Sequence, residues 1–468
     1  MHNSPETFFE SLNPFGMALG LTRMRPLLRA LDNPHSALRV LQVAGTNGKG
    51  SAAATAAAIL SAAGHRVGLY TSPHLVHLCE RIRVDGDDID RAGLSAGVAR
   101  LGEAMRKSGE TPTYFEALTA LAIDHFARGG VEIAVLEVGL GGRLDATSAV
   151  VPEVAIITRV GLDHTATLGP TLAAIAAEKA AILRPGTRAF IARQMPEALE
   201  VIARTASEQR CACSFAGRDF ALAPEGGGLL ETAPGQVENL PRGDVGGARA
   251  SDGETPVFFE QRILAGRDEN QRSEGPRTAP PRIGPLKLAL AGEHQLDNAE
   301  VAIAAALSLS SRIEARHVAD GLERVKWPGR FQIVDRRPLT IVDGAHNPDG
   351  ARVLAAMCRA RARGPRPRIV FSALADKDVA SVARVILAEA ASVHLVALDN
   401  PRAMRLGDLA ALARQLGVDF TCHETVGAAL EAARREALFD GPDGWALAAG
   451  SLYLVGAVLE SHGPRGMA

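Results

Sequence analysis

The chain has 468 residues, with 51 Lys and Arg against 53 Asp and Glu for a formal net charge of −2. At roughly 150 residues per domain it is too long for a single small module, and its charge balance excludes a bulk electrostatic attraction to nucleic acid or an anionic membrane. With 14 Phe, 3 Tyr and 2 Trp beside 47 Gly and 26 Pro, a base-stacking surface is disfavoured and the interior must rest on Ala, Val, Leu and Ile.

The N-terminal segment MHNSPETFFESLNPF has neither the basic head nor the apolar run of a signal peptide. No apolar stretch reaches the roughly 18 to 20 residues of a membrane span. Cys79, Cys211, Cys213, Cys358 and Cys422 include no C-x-x-C pair, which fits a reduced compartment better than a disulfide scaffold or a zinc ribbon. A cytoplasmic protein without nucleic-acid or membrane partners is expected. Cys211 and Cys213 read as strand residues on opposite sides of a turn rather than as a metal pair.

From residue 38 to residue 191, short apolar runs alternate with helical stretches, the rhythm of a mostly parallel sheet covered on both faces. Strands are predicted over residues 38–44, 67–70, 133–138, 154–157 and 189–192. Between the first two, SAAATAAAILSAAG has high helix propensity, and Gly64 can end the helix. Another helix is predicted over residues 172–183. Residues 225–285 string together Gly, Pro and charge with few periodic apolar positions, as in GDVGG and EGPRTAPPR. They read as an irregular insertion with one strand at residues 257–259. A second α/β rhythm starts near residue 286, with helices over 295–310 and 350–363 and strands over 340–342, 368–371, 394–397, 419–421 and 445–448. Two such units create a cleft, where ligands commonly bind.

The run Gln42-Val43-Ala44-Gly45-Thr46-Asn47-Gly48-Lys49-Gly50-Ser51 lies where a buried strand ends and the Ala-rich helix begins. Its three glycines let backbone N–H groups approach an anion. The helix N-terminus adds partial positive charge and Lys49 a full one. Ser51 is the hydroxyl suited to a phosphate-bound metal, although Val43 and the intervening Gly50 break the usual G-x-x-x-x-G-K-[ST] string. Glu137 ends a predicted strand before Gly139, Gly141 and Gly142, where a carboxylate can hold Mg²⁺ opposite the loop or accept from loop amides. Taken alone, Ser72 reads as a turn residue, His164 as a loop residue and Lys179 as a helix-face charge.

In this order the chain also carries TSPHL (71–75), TYFEA (113–117), LEVGLGGRLDAT (136–147), LDHTATLG (162–169), EKAAI (178–182), GRFQIV (329–334), DGAHNP (343–348) and GSLYLVG (450–456). With GTNGKGS, this ordered set resembles the folylpolyglutamate synthase and dihydrofolate synthase branch of the Mur ligase family. The resemblance covers most of the chain except residues 225–285. It implies an α/β fold, with an N-terminal P-loop domain built on a mostly parallel central sheet (1–224) and a smaller C-terminal Rossmann-like domain (286–468) whose helix 295–310 contributes to the ATP site.

The resemblance also implies an ATP- and Mg²⁺-dependent ligase that adds L-glutamate to dihydropteroate or a reduced folate, and the bifunctional form is expected. Thr46, Asn47, Gly48, Lys49, Gly50, Ser51, Asn298, Arg330, Asp343 and His346 become ATP contacts, with Arg330 on the phosphates, Asp343 towards the ribose, and His346 and Asn347 bordering the adenine. Ser72, Glu137 and His164 become metal-site residues, and Lys179, as a CO₂-derived carbamate, ligates the second of two Mg²⁺ ions. Lys49, Lys179, His164 and Arg330 are the expected catalytic group. Gly20, Leu21, Phe115, Leu144 and Asp145 are the expected pterin-side contacts, apolar walls with one carboxylate for an amino group. Two departures stand out: Ala181 replaces a usual Gly, and Ser148 a usual Asn after DAT. A monomer is expected. The competing readings are a Mur-type amino-acid ligase acting on peptidoglycan precursors and a regulatory P-loop ATPase.

Overall fold

The computed structural model describes residues 4–12, 20–224, 257–261, 282–361 and 364–462. Its first sheet runs in the order Asp87–Asp88, Ile82–Val84, Val67–Tyr70, Ile133–Glu137, Arg39–Ala44, Val154–Ile157, Arg188–Ile191, Ala212–Phe215. From Val67–Tyr70 onward every pairing is parallel, and the first two strands form an antiparallel edge. The predicted strands of this sheet are found within a residue of their expected bounds. Register then fixes the site: Val43 pairs with Glu137 and Ala44 with Ile157. The glycine-rich loop, Glu137 and the loop after Ile157 therefore leave the same edge of the sheet, where ligands of open α/β sheets bind.

The helix Lys49–Ala62 follows the loop, with Ala52, Ala53, Ala56 and Ile59 fully buried on different sides. A helix apolar all round has to be covered all round. Its outer face is covered by helices Glu293–Leu309 and Ala315–Arg324, which share one apolar core with the first sheet. At Gly321 an added Cβ would lie 2.7 Å from Ile59 Cα, so the backbones meet where small side chains permit it. Residues 286–325 thus pack with the first sheet, whereas the sequence reading opens the second domain at residue 286. Local periodicity identifies the helices but carries no information about the core they join.

The strand expected at residues 257–259 is found as Val257–Gln261, central in a small antiparallel sheet with Phe220–Pro224 and Arg282–Leu286. The rest of the 225–285 insertion lies outside the described residues. The second sheet runs Gln332–Arg336, Leu339–Asp343, Trp445–Ala449, Arg368–Phe371, Ser392–Val396, Phe420–His423. Only its first pairing is antiparallel. That edge strand escaped prediction because its short run gives no clear period. Helices Pro348–Ala360 and Val379–Leu387 cover one face, and Val426–Phe439 and Leu452–His462 the other. Cover changes sides between the strands ending at Asp343 and Ala449, which opens a crevice beside Asp343.

Among the described residues no helix is long and apolar enough to cross a membrane. All five cysteines are free thiols. Cys211, just before strand Ala212–Phe215, donates from Sγ to Thr187 O (2.9 Å), and Cys213 lies within that strand; the two do not flank a turn.

Buried His394 shares a 3.0 Å Nδ1···Nε2 hydrogen bond with His423 on the neighbouring strand and lies 3.5 Å from Glu436. Burial holds its pKa below the ordinary histidine value despite the opposing pull of Glu436. A folded-state pKa below the unfolded one near 6.5 gives stability that is present above that pH and lost as pH falls through it. The unfolding free energy of the native chain relative to His394→Gln should therefore shrink between pH 7.5 and pH 5.5. A difference that stays constant in denaturant titrations at the two pH values would contradict this.

Candidate active site

Two glycines shape the phosphate loop. Gly45 has φ 151°, and an added Cβ would sit 1.8 Å from Thr158 Oγ1. Gly48 has φ 87°, and there the Cβ would strike Asn298 Oδ1 at 2.0 Å. Thr46 and Asn47 donate their backbone N–H groups to Arg159 O (3.0 and 3.3 Å), and Thr46 Oγ1 bridges the backbone of Gly161. Lys49 Nζ donates to Thr46 O at 3.2 Å, curling over the loop. Lys179 enters from below: it is 5% exposed and donates to Gly45 O at 2.8 Å. Burial, reinforced by Lys49, pushes its pKa down to about 7. A near-neutral amine is therefore held against the phosphate loop.

Glu137 is buried at its strand end and accepts from Ser72 N at 3.1 Å. Burial raises its pKa, while Lys49, the Ser72 N–H and Arg330 act in the opposite direction. Ser51 Oγ, buried at the start of the loop helix, has no hydrogen-bond partner. An orphaned hydroxyl there, with a carboxylate and a second serine nearby in the fold, is a donor set that Mg²⁺ accepts. Among the described residues, no three His, Cys, Asp or Glu side chains converge on a ready-made metal cage. Mg²⁺ commonly completes its shell with water and phosphate oxygens instead.

His164 adopts φ 51° at the start of a short helix, and its Nε2 lies 3.0 Å from Lys377 Nζ. Because an ammonium can only donate, Nε2 carries a lone pair. Burial, with Lys377 beside it, pushes the imidazole pKa to about 4. Lys377 also donates to Asp163 Oδ1 at 2.7 Å. Although burial opposes it, the Lys377 ammonium holds the Asp163 carboxyl well below the usual carboxylate range. Sequence reasoning missed Lys377. Its turn, A-D-K-D after strand Arg368–Phe371, was the available signal, since strand-end turns of open α/β sheets face ligands.

The second unit reaches the loop through Asn347. Its Oδ1 accepts from Gly350 N (2.9 Å) and Asn47 Nδ2 (3.2 Å), while its Nδ2 donates to Asn47 Oδ1 (2.9 Å) and Asp163 Oδ2 (3.2 Å). The amide expected beside an adenine is thus occupied in joining the two units. His346 Nδ1 lies 2.8 Å from Gly344 O. Asp343 accepts from Phe331 N (2.9 Å) and Ala345 N (2.8 Å), which fixes the D-G-A turn. Arg330 crosses that turn where Gly344 has no side chain, since an added Cβ would meet its Nη1 at 2.6 Å. Asn298, on the helix that covers the loop helix, bonds to Gln295 and abuts Gly48. Glu137, Ser72, Gly50 and Arg330 line one cavity with Trp327, another residue missed from sequence.

The pterin-side candidates also converge. Gly20 N donates to Leu144 O at 3.3 Å, and the Phe115 ring fills the space a side chain at Gly139 would need (2.5 Å). Leu21 is half-buried next to Gly20. Asp145, however, is buried and bonded to Leu140 N (3.0 Å), Thr147 N (3.0 Å) and Thr147 Oγ1 (2.6 Å). Its carboxylate holds the 139–147 loop. Ser148 works in the same loop, donating to Gly142 O (2.7 Å) and accepting from Gln42 Nε2 (2.9 Å).

The Mur ligase middle domain matches residues 43–223, and the Mur ligase glutamate ligase domain matches residues 329–452. The Bacillus subtilis dihydrofolate synthase/folylpolyglutamate synthase is 33% identical over 84% of this chain and 85% of its own length. A Haloferax volcanii protein named "probable bifunctional folylpolyglutamate synthase/dihydropteroate synthase" is 36% identical over 96% of this chain, which spans about half (49%) of that longer relative. In three dimensions the chain is similar to Escherichia coli FolC in complex with DHPP and ADP, with a TM-score of 0.79, 30% identity and coverage of 97% of this chain and 96% of that one.

Proposed function

Since the chain belongs to the Mur ligase family, in its folylpolyglutamate synthase and dihydrofolate synthase branch, we propose that it is an ATP-dependent ligase adding L-glutamate to dihydropteroate and to reduced folates. The reading is carried by one observation: Glu137, Ser72 and Gly50 from the first sheet share a cavity with Arg330 from the second unit. Amide formation from a carboxylate in water is uphill. Phosphoryl transfer from ATP to that carboxylate gives an acyl phosphate, which the glutamate amine attacks with release of phosphate. The protein's task is to position the groups and to stabilise negative charge.

In this reading the loop amides, Lys49 and Asn298 hold the triphosphate, Arg330 steadies the transferring phosphoryl group, and Asp343 and His346 face the nucleoside. Ser51, Ser72, Glu137 and His164 would hold Mg²⁺, with Lys179 as a carbamate serving a second ion. A metal held by these residues would supply positive charge against the phosphates. A lysine whose amine is partly neutral near pH 7 can react with CO₂, which supports the carbamate. Gly20, Leu21, Phe115 and Leu144 wall the pterin, with Asp145 shaping that wall.

Asn347 tests the joint between the units. Asn347→Asp keeps the acceptor for Gly350 N but loses both donor bonds and faces Asp163 with a second negative charge. The expected result is a fall in ligation kcat of about 10- to 100-fold with ADP affinity and melting temperature nearly unchanged. Loss of ADP affinity equal to the loss of rate would place the residue in nucleotide binding instead.

The function itself is tested by ADP formation from purified protein with ATP, Mg²⁺ and glutamate, adding dihydropteroate, tetrahydrofolate or a peptidoglycan precursor in turn. ADP release should require glutamate and one of the two pterin acids. Turnover indifferent to every acid would point to a regulatory ATPase, and stimulation by the peptidoglycan precursor alone to a Mur-type amino-acid ligase.

A further inference from the structure

The cavity lined by Glu137, Ser72 and Arg330 is also lined by Arg83, Glu80 and Trp327, whose ring packs on Gly50 of the phosphate loop. Glu80 is fully committed, because its two oxygens accept from Leu75 N (2.7 Å), Val76 N (2.8 Å) and His77 N (2.6 Å). Arg83 differs. Its side chain is 16% exposed, its Nε donates to the half-exposed Asp88 (2.6 Å), and its guanidinium carbon lies 5.8 Å from the Trp327 ring centroid. Among the described residues neither terminal nitrogen of Arg83 has a hydrogen-bond partner. The strand Ile82–Val84, paired with Val67–Tyr70, fixes the guanidinium's origin at the sheet edge. The cavity therefore offers, besides Arg330, a second planar fork of N–H donors, and such a fork suits a carboxylate.

The two acids of the proposed function differ at this point. Dihydropteroate has a single carboxylate, which must meet the transferring phosphoryl group to react. A folate ending in glutamate activates its γ-carboxylate and keeps its α-carboxylate as a spectator anion a few bonds away. We infer that Arg83 receives this spectator carboxylate, beside the Trp327 ring, and thereby selects for the glutamate-terminated substrate over dihydropteroate. The inference rests on the ligase reading above. It divides the two activities between residues of one cavity: the phosphate loop, Glu137 and Arg330 serve both acids, and Arg83 serves one.

Steady-state kinetics with each acid separates the possibilities. For Arg83→Gln the KM for tetrahydrofolate should rise about 10- to 100-fold, the loss of a charge-assisted pair, while KM and kcat for dihydropteroate stay within about threefold. Arg83→Lys should fall between the two. Asp88→Asn, which loosens the edge hairpin but keeps the guanidinium, should leave the tetrahydrofolate KM unchanged, excluding a merely structural effect. Equal losses with both acids, a rise confined to the KM for free glutamate, or no change would each overturn the inference, as would a native enzyme that uses dihydropteroate but not tetrahydrofolate. Failure of the ligase reading is recognised separately, as acid-independent ADP release by the unsubstituted protein.

Discussion

Lys179→Ala should lower the rate of glutamate ligation by about 10³-fold, the scale of losing one transition-state electrostatic partner, and Lys179→Arg should not restore it. Lys179 sits 2.8 Å from Gly45 O, nine-tenths or more enclosed, with its pKa held near 7 by burial. If its only task were the hydrogen bond to Gly45 O, Arg would partly replace it, since a guanidinium can donate too. If instead the amine must be neutral to accept CO₂, Arg cannot substitute, because it stays charged. Initial rates of the three proteins, together with ¹³C NMR in labelled bicarbonate, read the two cases apart. A carbamate carbon signal is expected in the native protein and not in either variant. Full activity in Lys179→Arg would remove the carbamate from the mechanism.

Glu137→Gln should cost about 10²- to 10³-fold in kcat without lowering the melting temperature. Gln keeps the shape and can still accept from Ser72 N, so the strand end should persist. The buried carboxylate has its pKa raised by desolvation. A raised folded-state pKa gives stability below the unfolded value that is lost as pH rises, so at pH 7 the buried carboxyl is a burden on folding. Removing the charge then relieves the fold while disabling the site, the pattern of a group retained for chemistry and not for packing. Thermal denaturation at pH 7 beside initial rates checks both halves. A variant that is both slow and markedly less stable would assign Glu137 a structural role.

Much of this protein is legible in its residues. The apolar runs at Arg39–Ala44, Ile133–Glu137 and Val154–Ile157 announce a parallel sheet because strands buried on both faces are continuously apolar. Their C-terminal ends then bring Gly45 to Gly48, Glu137 and His164 to one edge. The order of the short strings from GTNGKGS to GSLYLVG identified the family, since an ordered set is far more specific than any member. Hydrogen-bond occupancy was not legible. Asp145 looked available to a ligand and is bound by its own loop, and Asn347 looked like an adenine neighbour and instead grips Asn47.

The sequence by itself determined the central parallel strands, the phosphate loop and the type of chemistry, because each is written in residues near one another along the chain: a period, a glycine spacing, a lysine at a helix start. Only the tertiary structure decided that helices Glu293–Leu309 and Ala315–Arg324 complete the first core, that Lys377 holds Asp163 and His164, and that Arg83 and Trp327 share the cavity of Glu137. These contacts join segments far apart in the chain, and local pattern fixes which face an element buries but not which distant element will cover it.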